Sequence, residues 1–344
     1  MMDRRTMMAA AGGLGTLLAL PVAATPLPAP RKPPRLQPGD MVGVVEPAGF
    51  TDDRYDLDLV RETILAMGLK PKMGAHLTER FGYLAGSDAD RAADLNAMYA
   101  DPDVKAVFAV RGGWGSARIL PLLDWKMIRA HPKLLVGLSD ITALHMAFAA
   151  KAGFTTLHAP GASSGWGKYS WDAFRAVAFD AGTPTFATPT ASEDRLVQRA
   201  GRIRTFTGGK ATGRLLGGNL TVLTALMGTS YLPDFDGAIL FIEDIDEAPY
   251  RIDRMLTQLG LAGVLKGVKA VIFGLCTNCG PVGPSYGGFT ISEVLEQHLK
   301  PLGVPAWQGG QFGHVANQWT LPEGALGQVD ADAGTVTLLE PAVS

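Results

Sequence analysis

The sequence predicts an α/β protein in two parts, an N-terminal parallel-sheet (Rossmann-like) domain and a C-terminal mixed α/β domain with β-hairpin or barrel-like elements. Three observations predict it. Short apolar runs bounded by turn residues alternate with segments of helical periodicity, the pattern of strands joined by crossover helices. Glycines cluster where those runs end, as in "VRGGWGS" and "VGLSD", the place where open parallel sheets gather functional groups. The last stretch, "QWTLPEGALGQVDADAGTVTLLE", instead alternates with period two around a "DAG" turn, which reads as antiparallel.

In chain order, "MVGVV" is a buried strand and "YDLDLVRETILAMGL" a helix with apolar residues on one face. A second helix starts at Ser87 or Asp88, followed by the strand "KAVFAVR", the short helix "SARILPLLDW" and the strand "KLLVGLS". The helix "DITALHMAFAAKAG" then ends at Gly153. From Gly161 to Thr207 the pattern dissolves into Gly, Ser, Thr and Pro, which reads as a crossing between domains. Beyond it come the helix "GGNLTVLTALMGT", the strand "GAILFIED", the helix "PYRIDRMLTQL", the strand "KAVIFGL" and the helix "ISEVLEQHLK". The expected division is 1–24 leader, 25–37 proline-rich lead, 38–165 first domain, 166–207 linker and 208–344 second domain.

A length of 344 residues suits two domains of about 100–200 residues each. With 47% hydrophobic and 19% charged residues, the composition is globular. The net charge of −2 and the lack of any Lys/Arg run leave nothing to neutralise phosphates, so no nucleic-acid partner is expected. The start, "MMDRRTMMAAAGGLGTLLALPVAATP", joins paired Arg4 and Arg5 to a modest apolar stretch and small residues. It reads as a twin-arginine export signal cleaved after Ala24, too short to span a membrane. An uncleaved anchor is the competing reading, weakened by the prolines that follow. The expected location is the periplasm.

Serine hydrolysis needs a hydroxyl on a rigid corner, a histidine in reach and an acid that fixes the histidine's tautomer. Ser139 in "GLSDI" has the Gly two residues before it that a nucleophile elbow requires, but Ile141 replaces the second Gly. A serine before a helix is also a common N-cap, so the local pattern leaves both roles open. Of six histidines, His145 and His298 lie in helices, and His76 and His131 in polar connections. His314, on a Gly-flanked loop, and His158, closing the strand "FTTLHAP", rank first. Glu243 and Asp244 end an apolar strand, where a carboxylate would be buried and oriented, whereas Asp246 and Glu247 are placed to cap the helix near Pro249. "RGGWGS" lacks the spacing and lysine of a phosphate loop and better suits backbone donors to an oxyanion. The "CTNC" pair, Cys276 and Cys279, without clustered histidines, reads as structural rather than as a redox or zinc site.

Taken together, "VRGGWGSARILPLLDW", "VGLSDITAL", "GGNLTVLTALMGT", "LFIEDIDEAPYRIDRMLTQL" and "GHVANQWTLPEG" resemble, in order and over 38–339, the L,D-carboxypeptidases, the muramoyltetrapeptide carboxypeptidase group of serine peptidases. The resemblance implies Ser139 as nucleophile, Glu243 as the acid and His314 as the base, on two domains with the site between them. It implies release of the terminal D-alanine from a murein tetrapeptide, a homodimer, and neither metal nor cofactor. The amides of Asp140 and of Gly112 or Gly113 would bind the oxyanion, and Arg111 at the same strand end would take the substrate carboxylate. Well-known members of the family work in the cytoplasm, so the export signal points instead to periplasmic muropeptides or wall stems. A related branch that cleaves peptide–nucleotide antibiotics for self-immunity, and a catalytically silent exported peptide-binding protein, are the alternatives.

Overall fold

The computed structural model describes residues 29–189, 196–197, 201–281, 283 and 288–344, and the expected leader, residues 1–24, lies outside them. Strands β1 (Met41–Val45), β2 (Lys70–Met73), β3 (Val104–Ala109), β4 (Leu134–Gly137) and β5 (Thr156–His158) form a parallel sheet in the order β2-β1-β3-β4-β5. The chain order reverses between β1 and β3, which opens a crevice at the carboxyl ends of the strands. The remaining strands are β6 (Thr185–Ala187), β7 (Arg204–Thr207), β8 (Lys210–Asn219), β9 (Ala238–Ile245), β10 (Ala270–Thr277), β11 (Ala306–Gln308), β12 (Leu321–Glu323), β13 (Leu326–Asp330) and β14 (Thr335–Leu338). Of these, β12 returns to the first sheet, antiparallel to β5. The others make an eight-stranded sheet, β6-β14-β13-β8-β9-β10-β11-β7, with a parallel centre from β8 to β11 and antiparallel flanks.

That mixed second sheet is open, with β6 and β7 at its two edges, so the barrel-like element expected from the sequence is corrected to an open sheet. The hairpin part of the expectation is present as β13 and β14, paired antiparallel around the turn at 331–334. The stretch 166–207 carries the helix Lys168–Ala178, which buries Phe174 and Val177, together with edge strands β6 and β7.

Local signals explain the elements that frame the site. Ser87 caps the helix Asp88–Ala100 in a reciprocal capping box with Asp90. Gly153, left-handed at φ 68°, ends the helical run that begins at Ser139. The strands β3, β4 and β9 are buried along nearly their whole length, as expected for sheets covered on both faces. One buried cluster runs from Leu135, Ile141 and Leu144 of the first half to Leu220, Leu240 and Leu256 of the second. Each such side chain contributes about 1.5–3 kcal/mol. The two halves therefore share a core.

Candidate active site

The carboxyl ends of β3, β4 and β9 meet at a cleft of about 460 Å³ lined by Arg111, Gly112, Gly113, Ser139, Asp246 and His314 among others. Its floor is the corner after β4. Ser139 is held at φ 65°, a conformation rare for a non-glycine residue and one that functional corners tolerate. It opens the short 3₁₀ turn Ser139–Ile141, and neither that turn nor the helix Thr142–Ala147 has a side-chain cap bond at its start. The helix-cap role that the local pattern allowed is not the one Ser139 plays.

The corner is built from below. A Cβ on Gly137 would stand 3.0 Å from Ile141, so the glycine two residues before Ser139 makes room for the isoleucine two residues after it. His145 ties the following helix back to the strand: its Nε2 bonds Gly137 O at 3.0 Å and its Nδ1 pairs with Thr156 Oγ1 at 2.8 Å. A carbonyl can only accept, so Nε2 carries the proton and Nδ1 accepts from the threonine hydroxyl. Burial pushes the His145 pKa down to about 4, keeping that tautomer neutral. Asp140, itself buried, accepts the Ser116 N–H at 2.7 Å and so joins this corner to the helix start after "RGGWG".

The glycines above the corner approach it closely. A Cβ on Gly112 would lie 2.6 Å from Ser139 Cβ, 2.9 Å from its Oγ and 3.1 Å from Asp140 N, so no side chain fits there. The Gly112 carbonyl accepts from Gly49 N at 3.3 Å. Because the peptide is trans and planar, the Gly113 N–H points the opposite way.

The second half supplies the acid and the imidazole. Glu243, on β9, is fully buried, and its Oε2 lies 2.8 Å from His314 Nδ1. Nδ1 therefore donates to the carboxylate, leaving Nε2 as the acceptor facing the cleft. Burial works to lower the His314 pKa, but the bond and charge of Glu243, joined by Asp244 and Asp246, outweigh it and hold the imidazole above its ordinary value. The His314 carbonyl accepts from Thr277 Oγ1 at 2.7 Å, and Thr277 O accepts from Asp246 N at 2.9 Å. Thr277 sits inside the loop closed by a Cys276–Cys279 disulfide, the structural use expected of that pair. The halves are also tied beside the Ser139 corner, where Asn219 N donates to Thr142 Oγ1 at 2.9 Å.

The residues singled out in the sequence are thus partly assembled. Ser139, His314, Arg111, Gly112 and Gly113 line one cleft, and Glu243 stands behind His314. His158 is fully buried beside His145, Phe241 and Phe312, away from the cleft, and both its ring nitrogens lack partners among the described residues. Asp244 organises the start of the helix Leu220–Ala225, accepting from Thr221 N at 3.0 Å and Asn219 Nδ2 at 3.0 Å. Its pKa rises to about 6, because burial outweighs those bonds. The expected caps at Asp246 and Glu247 are corrected: the helix Pro249–Leu261 has Ala248 at its N-cap and no side-chain cap bond. Proline suits the first helical position, and the residue that precedes it there, Ala248, has no side-chain oxygen to act as a cap. Glu46, at the end of β1, escaped the sequence reading although burial lifts its pKa to about 7 against the Thr51 bonds and the Arg111 charge. A single acid after an apolar run gives no motif.

Family models for the LD-carboxypeptidase N-terminal and C-terminal domains match residues 42–159 and 212–329. The chain belongs to the LD-carboxypeptidase family. It is an enzyme, a peptidase that removes carboxyl-terminal residues. The Bacillus subtilis protein named "Probable murein peptide carboxypeptidase" is 37% identical over 313 residues, covering 91% of this chain and 95% of the relative. Among solved structures, muramoyltetrapeptide carboxypeptidase from Oxalobacter formigenes aligns with a TM-score of 0.73 at 29% identity, over 87% of this chain and 97% of that one. A variant of the microcin C7 self-immunity protein MccF, an Escherichia coli protein, solved with adenosine monophosphate, aligns with a TM-score of 0.81 at 26% identity, over 92% of this chain and 100% of that one.

Proposed function

We propose that this protein is a serine L,D-carboxypeptidase that releases the terminal D-alanine from murein tetrapeptides, with Ser139, His314 and Glu243 as its triad. The observation that carries this reading is the hydrogen bond of 2.8 Å between the buried Glu243 and His314 Nδ1, in a cleft that also presents Ser139 at a strained corner. His314 Nε2 takes the Ser139 proton as Oγ attacks the carbonyl, and Glu243 stabilises the imidazolium that forms. The negative oxygen of the tetrahedral intermediate is received by Asp140 N–H and by Gly113 N–H, the amide opposite the carbonyl that Gly49 occupies. His314 returns the proton to the leaving amine, and a water deprotonated by the same nitrogen hydrolyses the acyl-enzyme. Arg111 takes the carboxylate of the departing residue.

The twin-arginine pattern supports an activity outside the cytoplasm, on muropeptides or wall stems, and the Cys276–Cys279 disulfide suits an oxidising compartment. The relative named a murein peptide carboxypeptidase supports the substrate. The likeness to MccF bound to adenosine monophosphate favours a second reading, cleavage of a peptide–nucleotide conjugate. Mass spectrometry after incubating purified protein with a murein tetrapeptide and, separately, with an aminoacyl sulfamoyl adenosine separates them. Loss of one D-alanine from the tetrapeptide supports the first reading, and cleavage of the nucleotide conjugate alone supports the second.

A further inference from the structure

A buried acid beside the cleft has no part in the triad. Glu46 follows β1 directly and is only 4% exposed. Its Oε1 accepts from Thr51 Oγ1, so the loop 46–51 is closed on itself by one side-chain bond. Its Oε2 is buried and has no hydrogen-bond partner among the described residues. That loop is pinned in turn to two groups of the cleft. Phe50 O accepts from the Arg111 guanidinium at 3.3 Å, and Gly49 N donates to Gly112 O at 3.3 Å. Val110 N donates to Val45 O at 2.9 Å and ties the ends of β1 and β3 together beneath it. Arg111 and Ser163 line both the cleft and a second cavity of about 300 Å³, whose wall includes Thr51.

Closing the loop does not account for a glutamate. Thr51 needs only an acceptor, which glutamine supplies without placing an ionisable group in the interior. Burial lifts the Glu46 pKa to about 7 against the Thr51 bonds and the Arg111 charge. The group is therefore neutral below that value and charged above it, within the field of Arg111.

We propose that Glu46 is a positioning residue that acts through Arg111: its carboxyl group closes the loop that carries Phe50 O, and its charge sets how strongly Arg111 holds the carboxylate of the substrate's terminal residue. The inference rests on the carboxypeptidase reading above, with Arg111 as the carboxylate site, and adds a control on that site. While Glu46 is neutral, the guanidinium presents its full charge to the substrate. Once Glu46 ionises, it offsets part of that charge and the grip weakens. By reciprocity, a bound substrate carboxylate favours the protonated form of Glu46.

Other charged groups face the same region. Asp56 comes from the helix Arg54–Ala66, and Arg91 from the helix Asp88–Ala100 donates to Pro47 O. Arg80 lies 4.0 Å from the centre of the Phe50 ring and pairs with Asp52 at 3.5 Å. His314 and Asp246 stand on the opposite side of the cleft, from the second half. His314 loses its own charge above pH 6.5, so a pH dependence of binding would not by itself identify Glu46.

The test is calorimetric binding of a murein tetrapeptide, and of the same peptide with its terminal carboxylate amidated, to Ser139→Ala with and without Glu46→Gln. Measurements at about pH 5.5 and about pH 8.5 bracket the Glu46 transition. We expect the tetrapeptide Kd to rise with pH by about fivefold more in the protein that keeps Glu46 than in Glu46→Gln, and the amide to bind the two proteins alike at both pH values. Glu46→Met, which also removes the bond to Thr51, should flatten the pH dependence equally and weaken the tetrapeptide at both pH values; it decides the matter if Glu46→Gln does not fold. The same rise in Kd with and without Glu46 would overturn the proposal alone. An equal effect of the substitution on the amide would overturn it too, since the effect would then not pass through the carboxylate. Absence of tetrapeptide binding to Ser139→Ala, together with absence of D-alanine release by the native protein, would overturn the carboxypeptidase reading and the proposal with it.

Discussion

At the scale of single residues, the proposed function turns on how three side chains are held. Glu243 is buried and spends one oxygen on His314, so its replacement by Gln keeps the shape but lets the imidazole settle in the wrong tautomer. Glu243→Gln should lower kcat by about 10³–10⁴-fold, measured as D-alanine release. His314 must be neutral to act as a base, and its pKa is raised above 6.5, so kcat/KM should climb with pH along a limb centred above that value. Asp246→Asn removes one of the charges that raise it and should move the limb to lower pH. The same pairing stabilises the fold in the opposite pH direction. A raised imidazole pKa adds stability below 6.5 that is lost as pH rises through the folded value. Ser139, Glu243 and His314 could be singled out from the sequence because each lies in a motif of several residues, and the folded chain brings Ser139 and His314 to one cleft with Glu243 bonded behind. The place of Asp246 on the cleft was not legible, because an acid two or three residues before a helix has the same sequence signature as a cap; only the left-handed turn at Asp246 and the start of the helix after Ala248 separate the two.

At the scale of elements, the site is assembled where strands end and loops are pinned. Thr277 holds both sides of the second-half contribution, giving its hydroxyl to the His314 carbonyl and its own carbonyl to Asp246 N–H. Thr277→Val should lower kcat about tenfold with little change in KM, and Thr277→Ser should restore it, since one hydrogen bond is worth about 1 kcal/mol and a misplaced base is felt in the chemical step. Equal kcat for all three proteins would show that the clamp does not position His314. The long buried strands and amphipathic helices were readable from periodicity, and the capping residue Ser87 and the stop at Gly153 were as well. The strand β2 was not, because "KPKM" is a half-exposed edge with no apolar run. The helix Lys168–Ala178 was missed for another reason. Its start, Gly167, makes no cap bond, and it is held by aromatic packing of Phe174 with Trp166, Trp171 and Phe179, which only the folded chain brings together.

At the scale of the whole molecule, the two halves meet at one cleft. The first brings Ser139, Gly112, Gly113 and Arg111 to it, and the second brings His314, with Glu243 behind it, and Asp246. The sequence read them as separate domains across a linker, yet β12 from the second half completes the first sheet and one apolar cluster crosses between them. A pattern of local periodicity cannot show such a return, since the pairing of Leu321 with His158 spans much of the chain. Thermal unfolding should accordingly be one transition followed equally by circular dichroism and by loss of activity, whereas two separated transitions would show that the halves are independent. The most direct test of the account is D-alanine release from a murein tetrapeptide by the purified native protein and by Ser139→Ala. The account predicts one D-alanine and one tripeptide per substrate for the native protein, and a fall of at least about 10³-fold for a variant that stays folded. Turnover by Ser139→Ala at the native rate would contradict it.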